Sequence, residues 1–104
     1  MPAAPIPTHC CRDCGHHCYS PERLAEHLGH DLQPSGTLYR VAMPTIDPRR
    51  PVGLWVRDGL TYLVRHDTPL DDGYELGELL NSLIYSPPQK DEILGWVDKL
   101  QLPL

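Results

Sequence analysis

Past Cys18 the chain carries no cysteine, and nowhere does it carry an apolar run approaching the roughly 20 residues of a membrane span. It also lacks cationic excess. Residues 1–36 hold two basic and four acidic side chains and the remainder seven and ten, for a formal charge of −5. That balance does not provide the phosphate neutralisation on which non-specific nucleic-acid binding rests, so nucleic acid is disfavoured unless a local basic patch compensates. The opening MPAAPIPTHCC has neither a basic n-region nor an apolar h-region. A cytoplasmic location and no membrane partner are expected. No Ser/His/Asp set, glycine-rich phosphate loop or paired-carboxylate pocket can be read from the sequence, so no enzyme is expected.

What is present suits one small domain, or a module attached to a slightly larger one: 104 residues, 40% of them hydrophobic. A core of that size is thin, and a metal or disulfide staple would help it. Twelve prolines and eight glycines punctuate the chain, while apolar periodicity persists from about Thr37 onward. No internal repeat is visible. Residues 1–8 read as a mobile Pro/Ala lead-in, 9–31 as a cysteine/histidine module, and 32–36 as a linker. Residues 37–104 read as a small α+β domain that opens with a strand over 37–43. Pro44 to Pro51 forms a proline-bounded loop with adjacent Arg49 and Arg50.

Within that domain, VGLWVR-DG-LTYLVRH places two β-rich runs around Asp58-Gly59, the signature of a two-residue type I′ hairpin over 52–66. The register sets Arg57 against Leu60, Val56 against Thr61, Trp55 against Tyr62 and Leu54 against Leu63. Both faces of the hairpin are then largely apolar, which calls for a cover on each face or a partner on one. Trp55, Tyr62 and Arg57, with Arg49 and Arg50 nearby, are of the residue types enriched in interface anchors. They form the candidate partner-binding surface, although a tryptophan in a strand is more often core.

Two helices follow. The first, about 74–85, puts Leu76, Leu79, Leu80, Leu83 and Ile84 on one stripe, with Asp71 or Asp72 as cap and Ser86-Pro87-Pro88 as stop. The second, about 89–101, puts Ile93, Leu94, Val97 and Leu100 on one stripe, with acidic residues early and Lys99 late, as the macrodipole favours.

All four cysteines and four of the six histidines lie between Cys10 and His30. In a reducing compartment such clustering points to metal before disulfides. Cys11-x2-Cys14 forms a turn on which two thiolates converge on one ion, and thiolates suit Zn²⁺. Ser20 is a good helix N-cap, Pro21 fits the first helical position and Glu22 favours the positive end. A helix from Ser20 would carry His27 and His30 on one face. Two thiolates and two imidazoles close a tetrahedral structural site with no open position for catalysis.

This segment resembles the C2H2 zinc finger. Cys11, Cys14, Leu24 and His27 fall at that family's spacings, and Cys18 stands where its aromatic core residue is expected. The resemblance spans residues 11–30 and implies one structural zinc held by Cys11, Cys14, His27 and His30. The histidines are two residues apart, where the family has three to five. Cys18 is a rival ligand, Cys10 could replace Cys11, and His16 and His17 are further candidates. By the same resemblance the base-reading positions map to Ser20, Glu22, Arg23 and Glu26. Two are acidic, and only Arg23 is a typical guanine reader.

The expectation is an α+β protein with an N-terminal C2H2-like zinc module, a small antiparallel sheet containing the hairpin, and two C-terminal helices. Its function would be a zinc-stapled cytosolic protein-interaction module: an adaptor, regulator or inhibitor of a larger complex, with homodimerisation open. The alternative is a nucleic-acid-binding regulator using the finger and Arg23.

Overall fold

The computed structural model describes residues 5–12, 17–18, 31–65 and 70–103. These form one antiparallel sheet with two helices after it, as an α+β chain should. In chain order the elements are β1 (Pro5–Cys11), β2 (His17–Cys18), β3 (Leu32–Val41), β4 (Val52–Arg57), β5 (Leu60–Val64), a 3₁₀ turn (Leu70–Asp72), β6 (Tyr74–Glu75), α1 (Leu76–Leu80) and α2 (Pro87–Leu100). The strand order is β2-β1-β3-β4-β5-β6. Among the described residues no helix is long and apolar enough to cross a membrane.

The hairpin forms as its turn chemistry requires. Asp58 and Gly59 adopt φ of 53° and 78°, the left-handed pair of a type I′ turn. The register is Arg57↔Leu60, Val56↔Thr61, Trp55↔Tyr62 and Leu54↔Leu63. β3 pairs on the other side of β4, from Thr37↔Val56 to Val41↔Val52.

Two segments depart from expectation. Residues 5–8, read as a lead-in, are strand, and 32–36, read as a linker, extend the β3 ladder: Pro5 pairs with Tyr39 and Cys11 with Leu32. The sheet therefore runs straight into the cysteine segment, with no boundary at 32–36. The misleading residues Pro34, Ser35 and Gly36 mark a bulge instead of a linker. The register slips between Thr8 and His9, so Ser35 has no Cα partner between Pro34 and Gly36. Gly36 has φ of +125°, and a Cβ there would stand 2.1 Å from the Val56 carbonyl oxygen. Only glycine fits. Among the described residues, Pro5 and Pro7 have a strand partner on the β3 side alone, where a missing N–H on the other side costs no ladder bond.

The helices also differ from their predicted spans. The first ends at Leu80, because its surroundings offer competing hydrogen bonds. Tyr74 and Glu75 pair with β5, and the Glu75 carboxylate accepts from the Gly77 and Glu78 amides at 3.0 and 3.1 Å. Glu75 is thus the cap, not Asp71 or Asp72. At the far end the Ser82 hydroxyl donates to the Leu79 carbonyl at 2.7 Å, a local bond that diverts the chain from helix. The second helix starts at Pro87, not Gln89. Its prolines occupy the first turn, where no amide partner is needed, and the Ser86 amide donates to Gln89 Oε1 at 2.8 Å. Gln101 closes it in the left-handed region, φ 55°.

Cores lie on both faces of the sheet. On one, Val41, Val52, Leu54 and Leu63 pack with Leu76 and Leu79 of α1 and Ile93 and Val97 of α2. On the other, Leu38, Trp55, Val64 and Leu70 pack together with Ile6 and Tyr62. The sheet curls far enough for β2, at one edge, to come against the 3₁₀ turn that follows β5. The doubly apolar hairpin is thereby covered on both faces.

Candidate functional site

Trp55 is 1% exposed, so it is core and not the surface anchor expected from its residue type. β1, paired next to β3, delivers the polar atom that lets an indole be buried: Trp55 Nε1 donates to Thr8 Oγ1 at 2.9 Å. The Ser35 hydroxyl at the bulge donates to the same oxygen at 3.1 Å. Thr8 is itself 1% exposed. This network satisfies the buried groups and locks the bulge to the second core.

Tyr62 stacks obliquely on Trp55 with centroids 5.7 Å apart. The Arg57 guanidinium lies 4.9 Å from the Trp55 ring centre and 5.5 Å from that of Tyr62. Its Nε is 3.7 Å from the Asp58 carboxylate. Arg57 and Tyr62 are half-buried, so they form a lid on the second core before they are a contact surface.

Arg49 and Arg50 are exposed. Their backbone amides donate to Asp47 Oδ1 at 3.0 and 3.1 Å, and Arg65 approaches Asp47 Oδ2 at 3.8 Å. The two amide bonds, Arg49's first, hold the Asp47 carboxyl below its ordinary range, with help from the charges of Arg50 and Arg65. The arginine pair is therefore the rim of a structured loop built around Asp47.

In the cysteine segment, β1 ends at Cys11 and β2 returns with His9↔Cys18 and Cys10↔His17. β2 thus runs antiparallel to β1, which ends at Cys11. Cys11 is fully buried and Cys10 half-buried. The Arg12 amide donates to the Asp31 carbonyl at 2.9 Å, with the two side chains 3.4 Å apart as an ion pair. Cys11 and Asp31, the residue that follows His30 in sequence, thus sit at the same end of the sheet. His9 Nδ1 is buried with no hydrogen-bond partner among the described residues, at the register position opposite Cys18.

Of the expected ligands, Cys14, His27 and His30 lie outside the described residues, as does Arg23. Cys18 is placed only by its backbone in β2. Among the described residues no group of three or more His, Cys, Asp or Glu side chains converges on a common point.

One surface is absent from the sequence reading. Because α1 stops at Leu80, Leu83 and Ile84 leave the core stripe. They are 97% and 66% exposed, and Tyr74 on β6 is 62% exposed. A cleft of about 240 Å³ opens there, lined by Tyr74, Glu75, Glu78, Leu79, Ser82 and Ile84. Asn81 and Ser82, poor helix residues immediately after Leu80, were the available signal.

No protein-family model, curated protein or solved structure matches the chain.

Proposed function

We propose that the chain is a zinc-stapled protein-interaction module, an adaptor, regulator or inhibitor of a larger cytosolic assembly. The observation that carries this reading is the solvent-facing Leu83, Ile84 and Tyr74 beside an acidic cleft. Large aliphatic side chains left together in water are a mark of a contact surface on a small domain. The arginines of the hairpin are less available than their number suggests. Arg57 is applied to two rings and Arg65 faces Asp47, and the chain remains at −5. The nucleic-acid alternative therefore draws its support from the finger resemblance alone.

The zinc proposal keeps Cys11, Cys14, His27 and His30 as ligands, with Cys18 as rival. Three features of the described residues fit it: the antiparallel pairing of β2 with the end of β1, the backbone closure from Arg12 to Asp31, and the buried His9 Nδ1, which has no hydrogen-bond partner among them. When bound, zinc would supply a structural crosslink within the excursion between β1 and β3, and stability more than reactivity.

The test is to isolate the intact chain from its own cells under native conditions. The reading predicts elution in a protein complex well above its own 11.8 kDa. Elution alone, with steeply salt-dependent nucleic-acid binding, would contradict it.

A further inference from the structure

We infer that the cleft between β6 and the turn after α1 is the docking site for a basic segment of a partner protein, one that inserts an aliphatic or aromatic side chain flanked by lysine or arginine. This deepens the interaction-module reading and rests on it.

The cleft is small. At about 240 Å³ it falls below the roughly 300–1,000 Å³ of small-molecule sites, and suits a side chain or two presented by another chain. Its apolar part is Tyr74, Leu79 and Ile84, and Leu83, the neighbour of Ile84 in sequence, is exposed. Such a surface gains by being covered, at roughly 25 cal/mol for each Å² of apolar area removed from water.

Charge chooses the occupant. Glu75 and Glu78 bring two carboxylates to the same cleft. Glu75 is fixed in place by the bonds it accepts from the Gly77 and Glu78 amides, so its charge cannot swing away. A second copy of this chain docking through the same patch would set Glu75 and Glu78 against their own duplicates in a desolvating interface, in molecules that each carry −5. A cationic segment meets complementary charge instead. The patch is also mechanically separable from the core. Leu83 and Ile84 are 97% and 66% exposed, so serine at either position costs the fold little, whereas Leu79 at 4% belongs to the first core.

The experiment is selection of a randomised twelve-residue peptide library against the intact chain as purified, with a Leu83→Ser/Ile84→Ser double variant as counter-target. The variant is first shown to melt with the wild type. The expected enrichment is in sequences with a large apolar residue flanked by Lys or Arg. Synthesised and measured by fluorescence anisotropy, these should bind at least tenfold more weakly to Ile84→Ser and to Glu78→Lys, and more weakly as salt rises. Neutral or acidic winners would overturn the inference. So would a concentration-dependent dimer abolished by Ile84→Ser, which would assign the patch to self-association. Peptides that bind wild type and the double variant equally would overturn this surface while leaving the interaction-module reading intact. That reading fails separately, if the native chain travels without a partner.

Discussion

The Trp55–Thr8 hydrogen bond is the most exacting test of the second core, because it decides whether Trp55 serves stability or contact. Both residues are 1% exposed and the bond is 2.9 Å long. Thr8→Val keeps the shape and removes the acceptor that Thr8 offers the buried indole N–H, at a cost of about 1–3 kcal/mol. Trp55→Phe removes the donor and part of the ring, at a similar or slightly larger cost. The double variant loses both partners together, so its penalty should fall short of the sum by about 1 kcal/mol. With a urea m-value of ~2 kcal/mol/M, each single change lowers the midpoint by about 1 M. Far-UV circular dichroism is the suitable probe, since it does not depend on the substituted fluorophore. For a domain holding ~5–15 kcal/mol in total, a 2 kcal/mol loss is easily measured. Midpoints within error of wild type for Trp55→Phe, or strictly additive singles, would refute the burial of Trp55 against β1.

Gly36→Ala should cost at least about 2 kcal/mol or prevent folding, since its Cβ would meet a backbone oxygen at a φ that side chains avoid; dispersion in an amide NMR spectrum reads it. Gln101→Gly should raise the urea midpoint modestly, by about 0.5–1 kcal/mol of stability, because Gln101 ends α2 in the left-handed region. Asp47 is held below its ordinary pKa, so its contribution is present above the unfolded carboxylate value and is lost as pH falls through the folded one. The melting temperature of wild type minus that of Asp47→Asn should therefore be positive near neutrality and vanish in acid; a difference that grows on acidification would contradict the bonding seen around Asp47. On the zinc proposal, Cys14→Ser should leave the chain without zinc and lower its melting temperature, with both readings taken on one sample; a wild type that carries no zinc would contradict that proposal.

The hairpin was legible because Asp-Gly between β-rich runs encodes its own turn and register, and α2 because Ile93 and Val97 keep helical spacing toward a sheet. Non-local pairing was not legible. Pro5, Pro7, Pro34 and Gly36 read as loop residues, yet each stands in a strand, in or near a bulge formed with a segment more than twenty residues away. The same pairing buries Trp55, since its acceptor, Thr8, is 47 positions distant, and no local pattern reports it. Periodicity misplaced Leu83 and Ile84 for the opposite reason. Their spacing continues the stripe of α1, but the short bonds from Glu75 and Ser82 confine the helix to five residues, and the end of the stripe becomes surface. The proposed ligand set rests on spacing; of its four members only Cys11 has a described position, at the end of a strand whose first residues, 5–8, read as a lead-in.

Native mass spectrometry of the intact chain, drawn from its own cells without added metal, addresses both halves of the central claim in one spectrum. The account predicts one zinc ion per chain, in a complex with a different protein that dissociates when Ile84→Ser is substituted. A metal-free chain, travelling alone and unchanged by a chelator, would contradict it.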